Sequence, residues 1–439
     1  MTGLVSASGR QFQDWSADYR LFSRERFDAA KLFGVSRRQV SAALPAGTPL
    51  VAAMDDTILR KRGLKTAGAS WRRDPLGPPF HTNFVLGQRF LQLSAALPMG
   101  KGSARMIPVE LRHAPTAKKP PKNAPAGKWQ DYLARAKELN IAQAGADSLA
   151  DLRRSLDSDP GGGTRPLWAV VDGRFTNAAV LKNLPDRTVL VGRIRKDTRL
   201  FLPARKQERR GRSGRRPLYG DSVPTPEEIR KDEALPWQTI KVFAAGAQHD
   251  LKIKTLAPLK WRSAGAGHSL RLIVIAPLGY RPRKGSRLLY RQPAYLICTD
   301  PDIPVADAVQ AYAWRWDIEV NFRDEKTLLG VGQAQVRTAA SVEKVPQLIT
   351  AAYAFLLLAA ARAYGSPGMP VTLPVPKWRG HRRQTRASTQ CLISGLRAEL
   401  WGKALGIDSF LGFRSACLSD LKPQKPMPDL PSAILYAAA

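Results

Sequence analysis

Val305-Ala-Asp-Ala-Val-Gln-Ala-Tyr312-Ala-Trp-Arg315-Trp-Asp-Ile-Glu319-Val-Asn-Phe-Arg323-Asp-Glu-Lys326-Thr-Leu-Leu-Gly330 is the stretch whose reading decides the fold. It has no proline after Pro304 and closes on a glycine, so it is expected to be one helix. At about 100° per residue, and with Tyr312 at zero, Arg315 falls at about −60°, Glu319 at about −20° and Lys326 at about −40°. Arg323 joins the edge of this stripe. One acid among basic groups suits a metal-bound carboxylate flanked by phosphate clamps. A solvated helix face with i,i+3 and i,i+4 ion pairs would give the same spacing. The flanking Trp314, Trp316, Ile318, Val320 and Phe322 argue against that, because a helix apolar on many sides is buried and its charges need a reason.

The order Tyr, two residues, Arg, three residues, Glu, six residues, Lys resembles the Y-R-E-K signature of bacterial insertion-sequence transposases of the cut-and-paste DDE class. The resemblance implies a ribonuclease-H-like catalytic domain in which Glu319 is the third acid, and in which Arg315 and Lys326 contact phosphates of the element ends. Two aspartates must then lie upstream, each at the end of a core strand.

Moving outward, Leu167-Trp-Ala-Val-Val171 is a buried-strand run that ends in Asp172. Its context, Asp172-Gly-Arg-Phe-Thr176-Asn177, resembles the second catalytic motif of that family, and Thr176 or Asn177 could cap a helix over 178–184. Further upstream, Leu50-Val-Ala-Ala-Met54 is a second such run, followed by Asp55-Asp56-Thr57. The family pattern Asp, any residue, Thr selects Asp55. Asp56 points to the opposite side if the strand continues and is the alternative; a turn of aspartates is the bland reading.

Other strands are expected over 84–97, with Gly87 allowing a bend, over 106–111 at an edge because of Pro108, and over 188–194 and 294–298. Residues 129–156 are expected to be helical with a break near Gly145. Lys61 and Arg62 lie in a basic loop near the proposed site. Gly34 to Gln39 faintly suggests a turn followed by a basic helix. The interval from Asp172 to Glu319, 319 − 172 = 147 residues, must hold an insertion. It opens with a basic arm, Arg205 to Arg216, and continues as short β-like runs in which Lys252 and Lys254 form a basic outer face. By resemblance, this β-rich insertion touches the cleavage site and a hairpinned DNA end, with Trp237 and Trp261 as candidates for stacking on a displaced base. A helix with Pro346 in its first turn spans about 346–363, a proline-rich linker follows, and Lys377 to Arg386 carries five positive charges.

The expected class is α/β: a ribonuclease-H-like mixed sheet flanked by helices, interrupted by a β-rich insertion, with helical N- and C-terminal regions. The expected divisions are an N-terminal helical region (1–46), a first core segment (47–203), the basic arm and insertion (204–292), a second core segment (293–363) and a basic C-terminal region (364–439). The formal net charge of +33 over 439 residues calls for a polyanionic partner, nucleic acid first and anionic membrane second. The best apolar run, 348–361, is shorter than the roughly 20 residues a span needs. Three scattered cysteines offer no zinc spacing and suggest a reducing compartment. Gly161 to Gly163 lacks the ending of a phosphate loop, and no aromatic ribonucleoprotein motif is present.

These residues together point to a DNA transposase. Asp55, Asp172 and Glu319 are the candidate catalytic acids and ligands of Mg²⁺, with Mn²⁺ as a substitute. Tyr312, Arg315, Arg323, Lys326, Lys61, Arg62 and Trp261 are the candidate DNA contacts. The expected partners are double-stranded DNA, as element ends and target, and a second copy in the DNA complex, with no membrane. The resemblance implies a bacterial, cytoplasmic, nucleoid-associated protein. A catalytically silent DNA-binding descendant and a nuclease on the same fold are the rival readings.

Overall fold

The computed structural model describes residues 14–404, except 15, 25, 75–76, 79, 82, 205–216, 266, 283–284, 335, 337 and 366–385. The basic arm and most of the stretch 377–386 lie outside the described residues.

Two helices open the chain, α1 (Ser16–Ser23) and α2 (Ala29–Ala43). Next come β1 (Leu50–Arg60), β2 (Ser70–Arg73), β3 (Phe84–Pro98) and β4 (Ala104–His113). Helices α3 (Ala126–Glu138) and α4 (Ile141–Asp157) lead to β5 (Leu167–Val171), α5 (Ala178–Lys182) and β6 (Thr188–Arg193). The middle of the chain holds β7 (Phe201–Pro203), β8 (Tyr219–Ser222), α6 (Pro226–Lys231), β9 (Gln238–Ala244), β10 (Ala247–Leu259), β11 (Leu270–Ile275), β12 (Gly279–Tyr280) and β13 (Leu289–Tyr290). It closes with β14 (Ala294–Cys298), α7 (Val305–Trp314), α8 (Asp317–Thr327), α9 (Ala339–Tyr364) and α10 (Thr389–Ala404).

One ten-stranded sheet runs β2-β3-β1-β5-β6-β14-β11-β10-β9, with β4 on β3. β1, β5 and β6 are parallel neighbours; β3 runs antiparallel to β1, and β4 antiparallel to β3. That order, with helices on both faces, is a ribonuclease-H-like core. The strands of the insertion form no sheet of their own in its middle: β9, β10 and β11 extend the core sheet through β14.

Burial explains the apolar runs. Leu50, Ala52 and Met54 pack with Leu149, Leu152 and Leu156 of α4, while Val51, Ala53 and Val170 pack with Val309, Ala311, Ile318 and Phe322 of α7 and α8. A strand covered on both faces has no position for alternating polar residues.

Several expectations are corrected. The stretch 305–330 is two helices joined by a tightened turn. Arg315 N–H reaches Tyr312 O (3.2 Å), Ile318 N–H reaches Arg315 O (3.0 Å) and Glu319 N–H reaches Trp316 O (3.2 Å), an i→i−3 pattern. Each residue there advances about 120° rather than about 100°, so the single-stripe phase is lost. The break in the preceding helical stretch falls at Leu139-Asn140, where the Asn140 side chain caps Ala142 N–H, and not near Gly145. Gly145 serves contact instead: a Cβ there would stand 2.8 Å from Phe175. Residues 34–39 lie inside continuous α2, whose Arg37 pairs with Asp159 at 2.6 Å, so no turn precedes a basic helix. Lys254 is buried rather than on an outer face. Its ammonium lies 4.5 Å from the Trp237 ring centroid and donates to the carbonyls of Ile229, Arg230 and Asp232 at the C-terminal end of α6. Pro346 lies eight residues into α9, not in its first turn. That 26-residue helix is long and apolar enough to cross a membrane by composition, yet Val342, Tyr353, Leu357 and Ala360 are buried in the fold.

Candidate active site

β1 does not end at its aspartates. It continues to Arg60 along β3, whereas β5 stops beside Met54, so Asp55 sits where its parallel neighbour gives out. The last paired residues across the three parallel strands are Met54, Val171 and Gly192. One step further along each strand stand Asp55, Asp172 and Arg193. Parallel neighbours in register share a face, and this face is the one under α7 and α8.

Burial, and then the charge of Asp172, push the Asp55 carboxyl up to about 7, against the pull of Arg315. Arg315 projects from the tight turn between α7 and α8 and is 8% exposed. Its guanidinium donates to Asp55 Oδ2 at 2.9 Å and reaches Glu319 Oε1 at 3.5 Å. Burial opposes its charge, but Tyr312, Asp55, Glu319 and Asp172 outweigh that and raise its pKa. It also lies 5.6 Å from the centroid of the Tyr312 ring.

The Arg315 guanidinium thus bridges Asp55 and Glu319, while Asp172 stands beside Asp55 on the adjacent strand and acts on both through its charge. Among the described residues no three Asp, Glu, His or Cys side chains stand close enough to share a metal ion as placed. The chemistry of the donor set nonetheless fits a divalent cation of the Mg²⁺ type: oxygen donors only, a carboxyl raised by burial and then by a neighbouring like charge, and a cationic side chain already between two of the acids. Glu319, 40% exposed and held by one long contact, has room to move.

The remaining candidates are spread out. Lys326 lies seven residues beyond Glu319, about 10 Å along the helix, where burial lowers its pKa and Glu325 and Arg60 are its charged neighbours. Arg323 is exposed and pairs with Asp324. The Lys61 ammonium is committed to the carbonyls of Gly332 (2.8 Å) and Ala334 (3.4 Å). Arg62 is exposed in the loop after β1. Trp261 lines a cleft of about 820 Å³ walled also by Gly173, the residue after Asp172, and by Thr176, Arg193, Arg195 and Arg230. Asp56 faces the opposite side and binds Arg174 at 3.0 Å.

Arg193 was missed by reading the sequence, although a signal existed. It is the polar residue closing the third parallel strand, at the position equivalent to the two acids.

The rear of α8 is anchored by polar groups. Asp317 accepts from Met106 N–H (2.9 Å) and from Arg386, Asn321 donates to Met106 O (2.9 Å), and Asp324 accepts from the Thr389 hydroxyl (2.6 Å). Glu325 is fully buried and accepts from Gln92 at 3.1 Å. Burial raises its carboxyl to about 8, so it is a neutral acid at neutral pH.

Residues 13–264 match a family model described as DDE superfamily endonuclease. The matched span contains Asp55 and Asp172 and ends before Glu319. No curated protein matches the chain.

Proposed function

Because this chain belongs to the DDE superfamily of endonucleases, we propose that it is a transposase that cleaves the ends of a mobile element and joins them to target DNA. Its substrate as an endonuclease of this family is DNA. The observation that carries the finer reading is the pair Asp55 and Asp172, each one residue past the last parallel pair of β1 and β5, with Asp55 linked to the helix of Glu319 through Arg315.

In this reading Asp55, Asp172 and Glu319 would hold Mg²⁺, with Mn²⁺ able to substitute. Bound there, the metal supplies Lewis-acid activation of the attacking oxygen and relief of charge on the leaving oxygen. The chain's own residues do the positioning. Arg315, which holds Asp55 and reaches Glu319 in the free protein, would take a DNA phosphate in their place. Tyr312 braces the guanidinium from the side. Arg193, next to Asp172, meets the phosphate from the cleft side, and Trp261 receives a base displaced into that cleft. Arg323, Lys326 and Arg62 meet phosphates further out. Two ends must be joined together, so two copies of the chain act in one DNA complex.

The test is cleavage of DNA carrying the gene's own flanking sequences, with Mg²⁺, by the native protein and by Glu319→Ala. Discrete end cleavage lost in the variant, with joined products in the native reaction, supports the proposal. Cleavage without joining leaves a nuclease on this fold, and specific binding without cleavage by either protein leaves a silent descendant.

A further inference from the structure

Asp56 has company that the active-site reading does not use. On the face of β1 away from Asp55, register brings Arg89 of β3 opposite Ile58, which shares the face of Asp56. Arg72 of β2 lies next in the sheet, opposite Val85. Arg174 reaches over from the loop after β5 and donates to Asp56 Oδ2 at 3.0 Å. Arg89 also donates to Ala114 O (3.1 Å) and Arg72 to the Thr116 hydroxyl (2.5 Å). Among the described residues, three guanidiniums face one carboxylate, an excess of two positive charges.

The cluster is built into the fold. Arg72 and Arg89 are half-buried, and Asp56's side chain is 10% exposed. The Nε–H of Arg72 is buried and has no acceptor among the described residues. The neighbourhood registers the surplus: burial and then Arg89 bring Arg72 down to about 10, and burial and then Arg72 bring His113 down to about 4. Packing alone does not call for two excess half-buried charges, whose desolvation is costly unless an anion arrives. Arg174 remains half-exposed, so the cluster is open to solvent on one side. A guanidinium fork matches two phosphate oxygens.

We infer that Arg72, Arg89 and Arg174 form a second phosphate grip, on the opposite face of β1 from Asp55, which holds the backbone of the DNA strand where it leaves the cleavage site. Asp56 is its resident anion in the free protein and gives up Arg174 when a phosphodiester binds. The inference rests on the DNA reading above. Asp55 and Asp56 are consecutive but face opposite sides of the sheet, and Arg174, in the loop just after Asp172, is the member of the cluster that lies at the end of β5, between the two faces.

The experiment is fluorescence anisotropy of a labelled duplex carrying the gene's flanking sequence, from about 50 to about 200 mM salt. Native protein is compared with Arg174→Gln, Arg72→Gln and Arg174→Lys, each first shown by thermal melting to be folded. Each Gln variant is expected to lower the log–log salt slope by about 0.9, the value for one lost phosphate contact, and Arg174→Lys to keep the native slope. A steep native slope unchanged in both Gln variants overturns this inference alone. A flat native slope overturns the DNA reading beneath it. Inorganic phosphate at matched ionic strength is expected to leave the native–variant difference intact; if it abolishes the difference, the cluster is a free-phosphate site and the DNA grip is wrong.

Discussion

Asp55 and Asp56 are neighbours on one strand and live in opposite electrostatic company. Asp55 faces Asp172 and Glu319, and one arginine, Arg315, serves that group of acids. Asp56 faces Arg72, Arg89 and Arg174, and is the lone acid of that group. Burial raises both carboxyls. The Asp55 side gains by accepting a cation, the Asp56 side by accepting an anion. The two-residue period of one interior strand sets an acid-rich face and an arginine-rich face back to back.

The contrast is broken most severely through the acids. Asp172→Asn is expected to reduce DNA cleavage by at least about a thousandfold while anisotropy still shows DNA binding; a comparable loss of binding would mean that the two faces are not separable. Next comes the helix behind the acid face. Arg386→Ala leaves Asp317 without its guanidinium and should cost about 3 kcal/mol in a denaturant melt, with cleavage falling more than binding. An unchanged midpoint would show the contact to be idle.

Behind the same helix sits an acid of a third kind, uncharged at neutral pH. Folded Glu325 keeps its proton up to about 8, while an ordinary glutamate loses it near 4.5. Between those values the folded state holds the extra proton, so stability falls as pH rises and levels off above about 8. Glu325→Gln should lack that component of the fall, a difference on the order of 4 kcal/mol between pH 5 and pH 9 in melts. Parallel curves for the two proteins would refute the buried neutral acid. The smallest effect concerns the resident anion: Asp56→Asn should tighten DNA binding about fivefold, roughly 1 kcal/mol. Weaker binding would sharpen the comparison differently, by making Asp56 an orienter of the arginines rather than a stand-in.

What could be seen in the sequence was what burial writes into it. Leu50 to Met54 and Leu167 to Val171 are uninterrupted because both faces are covered, and an acid following such a run is conspicuous. The core strands and the mixed α/β architecture follow from that pattern. What could not be seen depends on partners distant in the chain. Arg72, Arg89 and Arg174 converge only through the β2–β3–β1 pairing and the end of β5, which no local spacing encodes. The tight turn at Arg315-Trp316 has neither proline nor glycine to announce it. Trp316 points to solvent there while Arg315 points inward, a reversal that helix counting misses. Lys254 looked like an outward lysine because strand alternation says nothing about a helix end lying above it. Gly145 looked like a break, yet it is an allowance for Phe175, and Asn140 did the capping.

The clasp on the rear of α8 also sets an order in time. Asp55 and Asp172 leave the ribosome early, and Glu319 follows, but Arg386, 69 residues beyond Asp317, comes later still. Until it and Thr389 are made, the helix that carries Glu319 has no guanidinium on Asp317 and no hydroxyl on Asp324. A chain halted in that interval would own every acid and lack the fastening that holds the third in place. The fastening of the helix that carries Glu319 therefore depends on residues translated well after that helix itself.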